Sequence, residues 1–127
     1  MAAMSVTILI VDDSPVIRDS LRGYLEQNPE WKVCGEAENG QVAVEKVREL
    51  HPDVVILDFS MPVMDGLEAA RQIARIAPRS AMLMLTMYGS GPLLKEAQAA
   101  GFKDVVSKSD GIEPLVDSLK RVLEPGA

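Results

Sequence analysis

The chain has 127 residues, of which 47% are hydrophobic and 25% charged, and its formal net charge is −6. This length fits one domain that buries roughly two thirds of its unfolded surface, and no apolar run approaches the about 20 residues that a membrane-spanning helix needs. The acidity disfavours direct binding to nucleic acid or to an anionic membrane. Cys34 is the sole cysteine, which excludes an internal disulfide. Residues 1–4 lack the features of a secretory signal, so we expect a cytoplasmic protein.

Strand and helix patterns alternate five times, with no linker or repeat between them. In chain order, strands are predicted at Val6–Val11, Trp31–Ala37, 53–58, Ala81–Thr86 and 104–108. Ser14 is the predicted N-cap of the first helix, with Pro15 at its first position, and Asn39 is the predicted N-cap of the second. The third helix is predicted to begin near Asp65, and the fourth is a short helix at 93–100. The core-facing residues of the helices are predicted to be Ile17, Leu21, Leu25, Ala43, Val47, Leu50, Leu67, Ala70, Ile73, Ala77, Leu93, Leu94, Ala97, Leu115, Leu119, Val122 and Leu123. The fourth helix buries little apolar area, so we expect it to be weakly held.

Polar residues stand where the apolar runs of four predicted strands end. They are Asp12 and Asp13 after the run 8–11, Asp58 after 54–57, Thr86 after 82–85, and Lys108 just beyond Val105 and Val106. Buried parallel strands place a ligand site beyond their carboxyl ends, so we expect these side chains to converge. Repeated right-handed crossovers allow either a Rossmann or a flavodoxin-like strand order, and the pattern alone does not choose between them.

Clustered carboxylates and an ammonium suit a divalent cation and a phosphoryl group. Asp13 and Asp58 offer the hard oxygens that Mg²⁺ prefers, and Asp12 is placed to act through a bound water. An Asp carboxylate is a known covalent phosphoryl acceptor, while Lys108 would pair with Asp58 at rest and Thr86 would donate a hydrogen bond to a phosphoryl oxygen. The alternative for Asp12 and Asp13 is a structural one, in which both stabilise the N-terminus of the first helix through its dipole.

Four segments together carry a resemblance to a known family. They are ILIVDD at 8–13, LDFSMPVMDG at 57–66, Leu85-Thr86, and Lys108. The chain resembles the receiver domains of two-component response regulators over nearly its whole length. The resemblance implies a flavodoxin-like (βα)5 fold of three layers, with five parallel strands in the order 2-1-3-4-5 and helices on both faces. It places the receiver domain at 5–123, with a disordered or extraneous start at 1–4 and a tail or the start of a linker at 124–127.

The resemblance also assigns a role to each site residue. Asp58 is the implied phosphoacceptor, which takes a phosphoryl group from the phosphohistidine of a sensor histidine kinase or from an acyl phosphate. The implied Mg²⁺ ligands are Asp13, Asp58 and the backbone carbonyl of Ser60, with Asp12 acting through water. Thr86 and Lys108 would bind the phosphoryl group and reshape the surface of the last two helices.

Such a protein is a regulatory phosphoacceptor rather than an enzyme, although it catalyses its own phosphorylation and slow dephosphorylation. Its implied partners are the kinase, an output domain or downstream protein, and a second copy on phosphorylation, with no nucleic acid or membrane contact by the domain itself.

Two positions depart from the family pattern. Ser109 follows Lys108 where many receivers have a proline, and similar endings occur in receivers fused to LuxR-like helix-turn-helix output domains. Val105, three residues before Lys108, stands where the family usually has an aromatic switch residue. Tyr88, two residues after Thr86, is a candidate to take over that role. Val105 keeps open the alternative of a docking module that works without phosphorylation. A phosphohydrolase of the haloacid dehalogenase type is disfavoured, because neither Asp13 nor Asp58 begins a D-x-D motif.

Overall fold

The computed structural model describes residues 5–59, 61, 64–87 and 91–123, and within them five parallel strands alternate with five α-helices. The strands are β1 (Val6–Val11), β2 (Trp31–Ala37), β3 (Val54–Asp58), β4 (Ala81–Thr86) and β5 (Phe102–Ser107). The helices are α1 (Pro15–Leu25), α2 (Gly40–Leu50), α3 (Gly66–Ile76), α4 (Gly91–Ala100) and α5 (Glu113–Leu123). The strand order 2-1-3-4-5 confirms the flavodoxin-like prediction and rules out the Rossmann order.

The inner strands β1, β3 and β4 are buried on both faces, which is why they consist of almost continuous apolar runs, whereas the edge strands β2 and β5 include exposed lysines. In β1, Ile8 and Ile10 point into a core shared with α1 and α5, whereas Leu9 and Val11 point into a second core shared with α2, α3 and α4. The same alternation recurs in β3, so that the two strands at the centre of the sheet separate the two cores. The structure therefore has three layers, with β3 completely enclosed and β1 buried from Ile8 onward.

Side chains of the predicted caps start the first helices. The Ser14 hydroxyl accepts a hydrogen bond from the N–H of Ile17 at 3.3 Å, and Pro15 occupies the first turn. The Asn39 Oδ1 accepts from the N–H of Val42 at 2.9 Å, and Asp65 caps α3 in the same way. These bonds satisfy N–H groups that have no partner inside a helix. Both predicted N-caps are confirmed.

Three predicted details are wrong. Strand β5 begins at Phe102 and ends at Ser107, because its pairing with β4 skips one residue at Lys103 and the chain turns into a 3₁₀ helix, Lys108–Asp110. Helix α4 begins two residues earlier than predicted, at Gly91. Leu50, the last residue of α2, and Leu94 are exposed rather than core-facing, at 38% each.

Strand register brings the polar strand ends to one edge of the sheet. Val11 pairs with Leu57, so Asp12 follows β1 level with Asp58, the last residue of β3. Thr86 ends the neighbouring strand β4 and is buried. Among the described residues, no helix has the length and apolar character needed to cross a membrane.

Candidate functional site

Three carboxylates converge beyond the carboxyl ends of β1 and β3. Asp12, Asp13 and Asp58 each contribute one oxygen to a group whose members all lie within 4.8 Å of one another. Asp12 and Asp58 are buried, at 1% and 5% exposure, whereas Asp13 is exposed. Buried carboxylates so close together repel one another unless positive charge lies between them.

Lys108 supplies positive charge to this acidic pocket, by which we mean Asp12, Asp13 and Asp58. Its Nζ lies 2.9 Å from Asp12 Oδ2 and 3.2 Å from Asp58 Oδ1. Burial by itself lowers the pKa of this ammonium, but the hydrogen bond and charge of Asp12, and then those of Asp58, outweigh burial and raise the pKa above its ordinary value. The ammonium is therefore held in its charged form, and it pairs with Asp12 as well as with the predicted partner, Asp58.

The donor set of the pocket fits Mg²⁺. Three carboxylates and one ammonium leave a formal charge of −2, which a divalent cation would neutralise. Carboxylate oxygens are hard ligands, and Mg²⁺ is usually bound by one or two of them together with waters and a phosphate. Asp13 is exposed, so one side of the pocket is open to solvent, from which a bound cation would draw its waters.

The loop between β1 and α1 is held at Asp12 by three further hydrogen bonds. The N–H of Asp12 donates to the carbonyl of Ala37 at 3.0 Å, and its carbonyl accepts from Arg18 Nη1 at 2.6 Å. Its Oδ1 accepts from the N–H of Ser14 at 2.9 Å, just before α1. Asp12 thus has a structural role at the start of α1 through one oxygen, while its other oxygen faces Lys108.

Two serine hydroxyls hold the backbone at Lys108. Ser107 Oγ accepts from the N–H of Ser109 at 3.3 Å, and the two hydroxyls lie 2.8 Å apart. Gly111 ends this 3₁₀ turn at a φ of +84°, in the left-handed region that favours glycine. The Lys108–Ser109 bond is trans. One of these hydroxyls, that of Ser109, stands where the family pattern has a proline, and the pair was not predicted from the sequence.

Close packing fixes the start of the helix that follows β3. A Cβ added to Gly66 would lie 2.6 Å from the carbonyl oxygen of Asp58, and one added to Gly40 would lie 2.6 Å from the carbonyl oxygen of Met64. Gly66 and Gly40 therefore both serve close packing. Both glycines confine the chain that leaves Asp58.

Two predicted participants lie outside the described residues, namely Ser60, whose carbonyl is an expected metal ligand, and Tyr88. Val105 is partly buried and packs against the core beside α3 and α4. Its side chain therefore faces inward, on the side of the sheet that α4 covers.

Comparisons with known proteins agree with this geometry. The family model of the response regulator receiver domain matches residues 8–120. A CheY chemotaxis protein of Thermotoga maritima is 36% identical over 119 residues, which cover 94% of this chain and 98% of that protein. A protein-glutamate methylesterase/protein-glutamine glutaminase of Methanosarcina acetivorans is 46% identical over 118 residues, which cover 91% of this chain.

The match to that methylesterase covers only 34% of its length, so this chain spans about a third of it. Among solved structures, a LuxR-family response regulator from Aurantimonas has a TM-score of 0.89 and 31% identity, with 94% of this chain and 85% of that chain covered. Fold, acidic pocket and sequence match thus point to one family. The chain belongs to the response regulator receiver domains.

Proposed function

We propose that this chain is a phosphorylation-controlled switch of a two-component system, in which Asp58 accepts the phosphoryl group. The observation that carries the proposal is the position of Asp58 at the end of β3. Its buried carboxylate lies 3.2 Å from the Lys108 ammonium and within 4.8 Å of the oxygens of Asp12 and Asp13. A nucleophile beside fixed positive charge and a cation site is what phosphoryl transfer requires of a protein.

In the proposed reaction, a carboxylate oxygen of Asp58 attacks the phosphorus of a phosphohistidine or of a small acyl phosphate. The new bond is an acyl phosphate on Asp58, the bond to the donor breaks, and its electron pair leaves with the imidazole nitrogen or the donor carboxylate. Mg²⁺, held by Asp13 and Asp58 with Asp12 through water, would neutralise charge on the phosphoryl oxygens. The Ser60 carbonyl is proposed as its further ligand.

Lys108 and Thr86 are the proposed sensors of the new group, which adds about −1.5 to −2 charge. Lys108 already faces Asp58, and a phosphoryl oxygen would compete with Asp12 for its ammonium. Thr86 ends β4 and leads toward α4, in which Ala97 and Ala100 are the buried side chains among those described. A helix whose buried side chains are two alanines, with the partly buried Leu93 beside them, is a suitable element to shift, because little buried area opposes its movement.

We further propose a sensor histidine kinase as phosphoryl donor, and an output domain or a downstream protein as the target of α4, β5 and α5. A second copy of the chain is a further candidate on phosphorylation. The relatives support this range, since they include a chemotaxis protein of matching length and longer proteins. The receiver boundaries 5–123 and the cytoplasmic location belong to the same proposal.

Mass spectrometry after incubation with acetyl phosphate and Mg²⁺ tests the proposal directly. We expect one phosphoryl increment, located by peptide mapping at Asp58, that disappears in Asp58→Ala and when EDTA is added. Asp19→Asn is the matched control, because it removes an exposed carboxylate of α1 and should leave labelling unchanged.

An unlabelled wild type, or a label that persists on the same peptide in Asp58→Ala, would refute the assignment. The first of these results would favour the docking module. Repeated release of phosphate from phosphomonoesters would instead favour a phosphohydrolase.

A further inference from the structure

Arg18 links an edge strand of the sheet to the loop that carries the acidic pocket. Its Nε donates to Glu36 Oε1 at 3.0 Å, and its Nη1 donates to the carbonyl oxygen of Asp12 at 2.6 Å. The side chain is 17% exposed, so most of it is shielded from water. One planar guanidinium therefore spans from Glu36, near the carboxyl end of β2, to the peptide group between Asp12 and Asp13.

That peptide group determines where two of the three carboxylates point. The carbonyl of Asp12 belongs to the bond that joins Asp12 to Asp13, so its orientation sets the direction in which the Asp13 side chain leaves the backbone. The N–H of Asp12 is held on the same side by the carbonyl of Ala37, at 3.0 Å. Both polar atoms of Asp12's backbone are thus held from β2, one directly and the other through Arg18.

We propose that Arg18 is a positioning residue for the Mg²⁺ site, and that its bond to Asp12 keeps Asp12 and Asp13 at ligand spacing. This inference rests on the proposed function, because it assumes that the acidic pocket binds Mg²⁺. Groups that orient metal ligands commonly change metal affinity by about 10–100-fold when they are removed. Arg18 is suited to the role because its fork makes two bonds of fixed relative direction, which a lysine does not.

Arg22 provides a matched comparison within the same network. Its Nε donates to the other oxygen, Glu36 Oε2, at 2.9 Å. Among the described residues, Arg22 bonds Glu36 and Arg18 bonds both Glu36 and Asp12. Replacing either arginine by alanine removes one positive charge and one bond to Glu36, but only the Arg18 variant loses the bond to Asp12.

The direction of the effect separates positioning from simple electrostatics. Loss of a cation near the pocket makes the local potential more negative, so by charge alone both alanine variants would bind Mg²⁺ slightly more tightly. If Arg18 positions the ligands, Arg18→Ala should instead bind Mg²⁺ more weakly, and Arg22→Ala should not. Isothermal titration with MgCl₂ should give a dissociation constant about tenfold higher in Arg18→Ala, and a change within about twofold in Arg22→Ala.

Arg18→Lys keeps the charge and removes the fork, so we expect a dissociation constant between those of wild type and Arg18→Ala. It also carries the test if Arg18→Ala does not fold, which thermal unfolding without Mg²⁺ would reveal. Equal affinities in Arg18→Ala and Arg22→Ala, or tighter binding in Arg18→Ala, would overturn the inference, as would wild-type affinity in Arg18→Lys. If the wild-type chain itself did not bind Mg²⁺, the proposed function would fail first, and this inference with it.

Discussion

Lys108 is the residue on which the resting state of the pocket depends. One ammonium faces two buried carboxylates, at 2.9 Å from Asp12 and 3.2 Å from Asp58. Taking away one partner of a buried ion pair is costly, because the remaining charge stays buried without compensation. The raised pKa of Lys108 has the same origin, so its stabilising effect is complete below the unfolded pKa and is lost only as the pH rises through the folded value.

Lys108→Ala should therefore lower the free energy of unfolding by about 3 kcal/mol when EDTA is present. Added Mg²⁺ should recover part of this loss, because the cation neutralises the same carboxylates. Urea unfolding followed by the fluorescence of Trp31, the sole tryptophan, gives the measurement. Lys103→Ala is the control, since Lys103 is exposed on β5 and its loss should change stability by less than about 0.5 kcal/mol. Equal destabilisation by both substitutions would contradict this role for Lys108.

The sequence predicted which residues would lie together at the site, but it did not predict all the hydrogen bonds between them. Asp12, Asp58 and Lys108 could be placed at one sheet edge because each ends or follows a buried apolar run. The bond from Lys108 to Asp12 joins residues 96 positions apart, and the choice between two carboxylates depends on side-chain geometry. Arg18 was not expected at all, because its partners lie on β2 and in a loop rather than at helical spacing.

At the scale of elements, the junction between β3 and α3 depends on the absence of a side chain at Gly66. A Cβ there would lie 2.6 Å from the carbonyl oxygen of Asp58 and 3.1 Å from Phe59 Cα, and both are backbone atoms that cannot rotate away. The N–H of Gly66 also donates to the carbonyl of Phe59 at 3.0 Å. A side chain at this position must therefore displace the strand end that carries Asp58.

Gly66→Ala should lower the free energy of unfolding by about 2 kcal/mol, as expected of overpacking, and should slow phosphorylation of Asp58. Gly23→Ala is the matched control, because a Cβ at Gly23 would meet nothing within 4 Å and the residue lies inside α1. That substitution should raise stability by about 0.5–1 kcal/mol, since alanine favours a helix over glycine. Chemical unfolding and acetyl phosphate labelling of both variants provide the measurements. A neutral Gly66→Ala would refute the packing argument.

Helix α5 is tied to the edge strand β5 through Asp104. Its Oδ2 accepts from Ser118 Oγ at 2.6 Å and from Arg121 Nη2 at 2.9 Å. Burial by itself raises the pKa of this carboxyl, but the bonds from Ser118, from the N–H of Val105 and from Arg121 outweigh it and lower the pKa. A lowered folded pKa means that the stability is present above the unfolded value, near about 3.9, and is lost as the pH falls through the folded value.

Asp104→Asn should consequently be less stable than wild type at pH 7, and the difference should shrink as the pH falls below about 4. The comparison is made by thermal unfolding over a pH series. Asp117→Asn removes an exposed carboxylate of α5, is the control, and should show little difference at any pH. A difference that stays constant down to pH 2 would show that the charge of Asp104 is not responsible.

The bounds of β1, β2 and β4 agree with the prediction, and so do the helix starts that a cap or a proline marks. Ser14, Pro15 and Asn39 gave the starts of α1 and α2, whereas β5 was misplaced because nothing in the sequence announces the residue that its pairing skips at Lys103. The 3₁₀ turn after β5 was not predicted either, because it is stabilised by the hydroxyl of Ser107 and not by an apolar pattern. Such local irregularities depend on tertiary contacts, and apolar periodicity alone does not predict them.

At the scale of the whole molecule, the fold brings mutually repelling carboxylates together at one edge of the sheet. The order 2-1-3-4-5 puts β1 beside β3, so that two strand ends each contribute a buried carboxylate to the same pocket. The strands beneath them are fully enclosed, and they hold these carboxylates in place. The pocket is thus a site where folding leaves repulsion between carboxylates, and the proposed binding of Mg²⁺ would link the stability of the chain to this cation.

This linkage predicts that Mg²⁺ at 100 times its dissociation constant raises the free energy of unfolding by about 2.7 kcal/mol. Asp13→Asn should change stability in opposite directions without and with Mg²⁺. Asp13 is exposed and belongs to the pocket, so its neutralisation relieves repulsion in EDTA while removing a ligand for the cation. The variant should be more stable than wild type without Mg²⁺ and gain less than about 1 kcal/mol from the same Mg²⁺ concentration.

Urea unfolding at matched ionic strength, with NaCl in place of MgCl₂, separates this effect from general screening. Asp19→Asn removes the same charge from the exposed face of α1 and should leave the gain from Mg²⁺ unchanged. If Asp13→Asn gained as much from Mg²⁺ as wild type, Asp13 would not be a ligand. The gain would then have to come from Asp12 and Asp58 alone, the two carboxylates that already share Lys108.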